Sequence, residues 1–138
     1  HQGVDYAAPA GTRVRAVGDG SVEFAGRQGG YGNLVVLRHD SRVSTVYAHL
    51  KTFGRGIRNG ARVTQGDTVG LVGQTGWATG PHLHYEFRIA GAARNPLAVP
   101  LPAGAPVARH EMDAFRARAR PLVAQLDLLA NSRVVALE

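Results

Sequence analysis

Short segments in which apolar and polar residues alternate recur through the first 90 residues of the chain. Alternation with a period of two is typical of a strand that has one face against a core. Glycine-containing turns separate the segments, which favours a mostly antiparallel β domain built from many short strands. The predicted strands cover residues 12–17, 21–25, 33–38 and 43–48, two short segments within 61–73, and a segment from residue 82 to about 89.

The last of these segments follows the turn sequence Thr79-Gly80-Pro81 and contains two histidines one residue apart. In a strand, His82 and His84 point to the same face, and Glu86 follows them on that face. Leu83, Tyr85 and Phe87 point to the opposite face and are suited to a core. The pattern therefore predicts a polar groove face that carries two imidazoles about 7 Å apart along the strand.

The C-terminal part of the chain has a different pattern, with apolar residues at steps of three and four that predict an amphipathic helix. These residues are Met112, Phe115, Ala119, Leu122, Leu126 and Leu129. Pro121 is expected to kink this helix or to split it in two. The breakers at 95–96 and 100–106 separate the two patterns, so we predict a β domain at 1–101 and a linker with a helical tail at 102–138.

Composition limits the classes of partner and site. The chain of 138 residues is 44% hydrophobic and has no cysteine, which excludes disulfides and thiolate metal sites. The net charge is +6, but the basic residues are scattered and do not alternate with aromatic ones, so no nucleic-acid partner is expected. No run of 18 apolar residues occurs, and no membrane span is predicted.

The histidines and one carboxylate suggest metal chemistry. His1 and Asp5 are four residues apart, and His49 precedes Leu50 in the sequence YAHL. Two imidazoles and a carboxylate are ligands that a catalytic Zn²⁺ takes when it keeps one position open for water. The four-residue spacing alone is a weak signal, because in an ideal strand the two Cα atoms would be about 13 Å apart. Gly3 lies between them and allows a bend.

Four blocks of residues occur together in one order. They are HQGVDYAAPAGTRVRAVGDGSV from residue 1, YAHL at 47–50, VTQGDTVGLVGQTGWATGPHLHYEF at 63–87, and RNP at 94–96. With these blocks the chain closely resembles the lysostaphin-type (LytM-like) zinc metallopeptidases, which cut peptides of bacterial peptidoglycan. The resemblance covers residues 1 to about 97. It implies a mainly β fold, an antiparallel β-sheet sandwich or open barrel with a substrate groove and a duplicated hybrid motif.

The resemblance also implies roles for individual residues. His1, Asp5 and His84 match the Zn²⁺ ligands of the family, and His49 and His82 match the two histidines that flank the attacking water. The implied function is a zinc metalloendopeptidase that hydrolyses cross-links or stem peptides of peptidoglycan with metal-activated water. The resemblance further implies peptidoglycan peptides as partners and a location in the cell envelope, periplasmic or secreted. A part of the parent chain that precedes His1 is expected to pack on the domain.

Several alternatives remain open at this stage. The main one is a catalytically inactive LytM-like module that binds and activates a cell-wall amidase. Others are an all-β binding module with incidental histidines, and a biotin or lipoyl carrier domain, for which Lys51 is poorly placed. Glu86 either orients a ligand histidine or is an exposed strand residue. Trp77 and Tyr85 are expected to pack or to line the cleft, and His39 and His110 are expected on the solvated surface.

Overall fold

The computed structural model describes residues 2–99 and 108–131, with side chains as far as residue 125. The chain divides into two compact units, His1–Pro100 and Leu101–Glu138. All strands among the described residues lie in the first unit, and the α-helix lies in the second. Every residue predicted for the site therefore belongs to the first unit.

Ten strands and one α-helix make up the regular structure of the described residues. In chain order they are β1 (Val4–Ala7), β2 (Arg13–Arg15), β3 (Gly20–Gln28), β4 (Gly32–Arg38), β5 (Val43–Ala48), β6 (Leu50–Phe53), β7 (Arg62–Val63), β8 (Thr68–Val72), β9 (His82–Ile89), β10 (Ala92–Arg94) and α1 (Met112–Asn131). Single 3₁₀ turns precede β4 and α1. Sequence reasoning did not predict β1, β6 or β10, which are short and lack a long alternating pattern.

The strands form two antiparallel sheets. The larger has the order β1-β9-β5-β4-β3-β7, and β10 pairs with β9 beyond the end of β1. The smaller has the order β2-β8-β6. All of these pairings are antiparallel. The predicted mainly β, antiparallel fold is confirmed, and within the described residues the sheets do not close into a barrel.

The main core lies between the two sheets. Buried side chains of the smaller sheet, such as Val14 and Val72, pack with Leu37 and Tyr85 of the larger sheet. Residues that alternate with the core positions of β4 and β5 point to the other face of the larger sheet. Among them Leu34 forms a second, smaller buried cluster with residues of β5. The smaller sheet therefore covers one face of the larger sheet, and the other face carries a small apolar cluster.

Strand β9 has the two faces that the sequence predicts. Tyr85 is buried in the main core, and Leu83 and Phe87 pack against it. His82 and His84 line a cleft on the opposite face. Because β9 lies between β1 and β5, both of its edges are hydrogen-bonded, which holds the histidine pair on a rigid support.

The helical tail is confirmed for the residues that the structure describes. Of the two effects expected at Pro121, a kink or a split into two helices, the split does not occur, because α1 continues through Pro121 as one element. A proline removes only one N–H and the helix continues on both sides of it. Phe115 and Leu122 of the predicted seam are exposed, and the side chains of Leu126 and Leu129 lie outside the described residues. No helix in the described ranges has both the length and the apolar character needed to cross a membrane.

Candidate active site

An open cleft of about 820 Å³ lies on the face of the larger sheet that carries His82 and His84. Ten residues line it, namely Gln2, Asp5, Gly30, Tyr31, His49, Trp77, Thr79, His82, His84 and Glu86. Four of the five residues predicted to bind metal or to act on substrate therefore share one cleft. The fifth, His1, lies outside the described residues.

The pairing of β1 with β9 brings Asp5 to His84 across 79 residues of sequence. The register places the two residues opposite each other, and Asp5 Oδ1 lies 2.7 Å from His84 Nδ1. Gly3 permits this approach, because a Cβ atom at that position would overlap the carbonyl oxygen of Tyr85 and lie 3.0 Å from His84 Cε1. The absence of a side chain at Gly3 is thus a requirement of the site.

Glu86 orients His84 from behind. Its side chain is 0% exposed, and Oε1 lies 3.0 Å from His84 Nε2. The same carboxylate accepts a hydrogen bond from the Tyr31 hydroxyl at 2.8 Å and pairs with the Arg88 guanidinium at 2.6 Å. Burial by itself raises the pKa of the Glu86 carboxyl, but the hydrogen bonds from these three partners outweigh it and hold the pKa below its usual value. Glu86 is therefore a buried anion, and the alternative of an exposed strand residue is wrong.

His49 lies where the chain leaves the larger sheet for the smaller one. It has a positive φ of 59°, which is uncommon for a residue other than glycine. Its Nδ1 lies 2.8 Å from the carbonyl oxygen of Thr75, which can only accept, so Nδ1 carries the proton. The Nε2 lone pair is then available to the cleft. Burial lowers the pKa of His49, so the ring stays neutral to a more acidic pH than an exposed histidine.

His82 is oriented in the same way as His49. Its Nδ1 lies 2.8 Å from the carbonyl oxygen of Gly80, so this ring also presents an Nε2 lone pair. The ring centroids of His49 and His82 are 4.7 Å apart, and those of His49 and His84 are 5.9 Å apart. Three imidazoles thus converge on one region of the cleft, and two of them are fixed by backbone carbonyls in one tautomer.

Thr75 is a supporting residue that sequence reasoning missed. Its hydroxyl accepts the N–H of Asn33 at 2.9 Å and donates to the carbonyl oxygen of Leu50 at 2.9 Å. The side-chain amide of Asn33 donates to the same Leu50 carbonyl at 3.0 Å. These bonds fix the loop whose carbonyl at Thr75 holds His49. The only sequence signal for this role is a threonine in a glycine-rich turn, which is common in loops without any function.

The other aromatic and histidine residues divide between cleft, core and surface. Trp77 lies on the cleft wall and Tyr85 in the core, within the two places predicted for them. His110 is exposed, as expected. His39 is half-buried, with Nε2 at 2.8 Å from the Thr45 hydroxyl, so the prediction that it is a solvated surface residue is wrong. The β3–β4–β5 meander buries this position, which its neighbours in sequence do not reveal.

Comparison with known proteins identifies the family. The model of Peptidase family M23 matches residues 1–96. The chain belongs to peptidase family M23. The family expected from the four sequence blocks is thereby confirmed, and the cleft described above lies in the matched region.

Relatives of this M23 chain include enzymes and solved structures. It is 55% identical over 102 residues to the DD-carboxypeptidase/endopeptidase Mpg of Neisseria meningitidis, covering 74% of this chain and 23% of that protein. A zinc-containing peptidase of Vibrio cholerae has a crystal structure with a TM-score of 0.70 and 35% identity, covering 74% of this chain and 31% of that one. The lysostaphin catalytic domain of Staphylococcus simulans matches with a TM-score of 0.65 and 32% identity, covering 70% and 76%.

The M23 chain spans about a quarter of the length of Mpg. Its match to the lysostaphin catalytic domain, by contrast, covers most of both chains. The shared part is therefore the peptidase domain, which contains the cleft.

The donor set of this M23 cleft fits a divalent cation. If Nε2 of His84 donates to the ionised Glu86, Nδ1 of a neutral ring turns a lone pair toward the carboxylate of Asp5. Two lone pairs at 2.7 Å repel unless a proton or a cation lies between them. A carboxylate behind a ligand histidine is also the common arrangement around zinc. Within residues 2–99 and 108–131, no three His, Cys, Asp or Glu side chains are placed so that they could hold a metal ion together. The predicted third ligand, His1, lies outside these ranges.

Proposed function

We propose that this M23 domain is a zinc-dependent endopeptidase that cuts peptide cross-links of bacterial peptidoglycan in the cell envelope. One observation carries the proposal: Asp5 and His84 meet atom to atom in the same cleft into which His49 and His82 turn their Nε2 atoms. The name of the relative Mpg favours a DD bond, one that joins two D-configured centres, such as D-Ala to meso-diaminopimelate.

The chain's own residues divide into a metal-holding and a proton-moving set. Asp5, His84 and His1 would hold the ion, and Glu86 would fix the ring of His84 through Nε2. A zinc ion held there supplies Lewis-acid polarisation of the scissile carbonyl and an acidified water. Asp5 lies in β1, and His84 and Glu86 lie in the neighbouring β9, so these three side chains are held on hydrogen-bonded strands of the larger sheet.

His49 and His82 would move the protons. With Nδ1 fixed to a carbonyl, each ring can accept a proton from water only at Nε2 and can donate only from there. A lowered pKa makes protonated His49 a ready donor, which suits it to deliver the proton to the leaving amine. His82, once Nε2 has taken the proton of the attacking water, would donate from that atom to the oxyanion that forms at the scissile carbonyl.

The alternative of a module that binds without catalysis is not favoured. Such a role requires neither an Asp5–His84 contact nor two imidazoles whose Nδ1 atoms are both held by backbone carbonyls, and both features are found here. These two features support the proposed enzyme over the binding module.

Zinc content and muropeptide digestion test the proposal together. We expect about one zinc per chain in the wild type and in His49→Ala, and a strong loss of zinc in His84→Ala, which removes a ligand. Cross-linked muropeptides should be cut by the wild type alone, with the new ends identified by mass spectrometry. Zinc-loaded wild type that leaves every cross-link intact would rule out the enzyme and favour the binding module.

A further inference from the structure

Trp77 is the only tryptophan of the chain, and it is 89% exposed. Tryptophan is a residue that proteins usually bury to a large extent. Trp77 contributes nothing to either core cluster, yet it lies on the wall of the cleft that contains His49 and His82. A large apolar ring left in solvent beside a candidate active site points to contact with a ligand.

The loop that carries Trp77 is held against the turn before β4. The backbone N–H of Trp77 donates to the carbonyl oxygen of Gly30 at 2.9 Å. A Cβ atom at Gly30 would lie 2.9 Å from Cε3 of the indole, so the ring rests directly on the Gly30 backbone. Gly76, just before the tryptophan, leaves no room for a side chain against Gly30 and Gly32. The indole is thus placed before any ligand arrives, which lowers the entropy cost of binding.

The position of the ring indicates which part of a ligand it meets. A peptide whose scissile bond lies at His49 and His82 extends along the cleft in both directions, and Trp77 lines that same cleft. Groups next to the scissile bond are amino-acid residues, while sugars of a peptidoglycan strand are attached farther away. An indole offers a flat apolar face and one N–H donor, which suit an aliphatic side chain and a peptide carbonyl.

We propose that Trp77 is a specificity-determining contact that packs its indole on the peptide residue flanking the scissile bond. The inference rests on the proposed peptidase function and adds the part of the substrate that this wall of the cleft recognises. It makes Gly30 a positioning residue, since a side chain there would displace the ring without removing it.

Fluorescence tests the contact without any catalysis. Because Trp77 is the single tryptophan, its emission reports on this position alone. The zinc-loaded His49→Ala chain is titrated with a cross-linked peptide that carries no sugar, and separately with a sugar strand that carries no peptide. We expect a saturable change in emission with the peptide and none with the sugar strand. No change with the peptide, or a change with the sugar strand alone, overturns the proposal whatever the hydrolytic activity.

Kinetics give the second readout. Trp77→Ala should raise KM by about fivefold or more with kcat within about twofold, because a contact with substrate and transition state alike is lost. Trp77→Phe should recover most of the affinity. Phe53→Ala, which truncates another exposed aromatic away from the cleft, is the matched control. An unchanged KM in Trp77→Ala, or an equal rise in Phe53→Ala, contradicts the proposal.

A double mutant separates positioning from general damage. Gly30 is not among the glycines with positive φ, so Gly30→Ala adds only the contact with the indole. It should raise KM in the wild type and have little further effect in Trp77→Ala, where the ring is absent. Additive effects of the two substitutions would show that Gly30 acts elsewhere. If the wild type hydrolyses the peptide but the peptide does not change the Trp77 emission, only the Trp77 contact is rejected. If the peptide changes the emission but is not hydrolysed by the wild type, only the peptidase function is rejected.

Discussion

Replacement of Glu86 by glutamine removes one negative charge from the centre of the candidate site and preserves the shape of the side chain. Glu86 is fully buried, and it pairs with Arg88 at 2.6 Å, Tyr31 at 2.8 Å and His84 at 3.0 Å. Glutamine retains one oxygen that can accept, but its NH₂ group faces donors on the other side. The substitution therefore leaves at least one buried donor without an acceptor.

The expected loss follows from these contacts. A hydrogen bond to a charged group contributes about 1.5–3 kcal/mol, against about 0.5–1.5 kcal/mol for a neutral pair. Arg88 is 27% exposed, so water recovers part of the lost ion pair. We expect the free energy of unfolding to fall by about 2–3 kcal/mol, which lowers the Tm of a domain of this size by roughly 10–20 °C. Zinc affinity should fall about 10- to 100-fold, because the ligand ring is no longer oriented.

Glu23→Gln is the matched control. Glu23 also pairs with an arginine, Arg38, at 2.8 Å, but both side chains are largely exposed, at 42% and 55%. An exposed pair contributes about 0–1 kcal/mol. Urea unfolding of the metal-free chains and zinc titration against a competing chelator measure the two quantities separately. Equal stability and equal zinc affinity in the two variants would refute the role assigned to Glu86.

The same substitution has a pH signature. The folded pKa of Glu86 is lowered, so its contribution to stability is present above the unfolded value of about 4.3 and is lost as the pH falls through the folded pKa. The difference in Tm between the wild type and Glu86→Gln should therefore be full at pH 7 and shrink below about pH 4. A difference that stays constant down to pH 2 would show that shape, and not charge, is lost.

Three further predictions concern the support and the chemistry of His49. Thr75→Val removes both hydroxyl bonds of the loop that holds His49, so kcat should fall about tenfold or more with little change in KM, and Thr75→Ser should restore it. An unrestored Thr75→Ser would argue against the hydroxyl. Burial lowers the pKa of His49, so the acid limb of kcat/KM should lie below the ordinary value of about 6.5, and a profile flat from pH 5 to 9 with zinc bound would exclude histidine acid/base catalysis. Gly32 and Gly11 both have positive φ, 66° and 91°, but a side chain at Gly32 would overlap Thr75 whereas the space at Gly11 is open. Urea unfolding should therefore show that Gly32→Ala lowers the free energy of unfolding by more than the about 1–2 kcal/mol expected for Gly11→Ala. Equal decreases in the free energy of unfolding would mean that Thr75 moves away from the new side chain at no measurable cost.

Much of the fold was predictable from local patterns. The alternation in β4, β5 and β9 specifies which side chains enter the core, because a period of two assigns every second residue to one face. That rule alone places His82 and His84 together and opposite Tyr85. Strands β1, β6 and β10 were not predicted, since each is three or four residues long and depends on hydrogen bonds from a neighbouring strand.

The sequence by itself determined the faces of the strands, the pairing of two histidines on one of them, and the order of motifs that relates the chain to the M23 peptidases. Tertiary structure decided which groups those histidines meet. Asp5 reaches His84 across 79 residues because β1 pairs with β9 in one register. Glu86 is a buried anion because Tyr31 and Arg88 converge on it, whereas a glutamate without such partners is almost never fully buried. Contacts of this kind depend on chain segments distant in sequence, whose approach no local periodicity encodes.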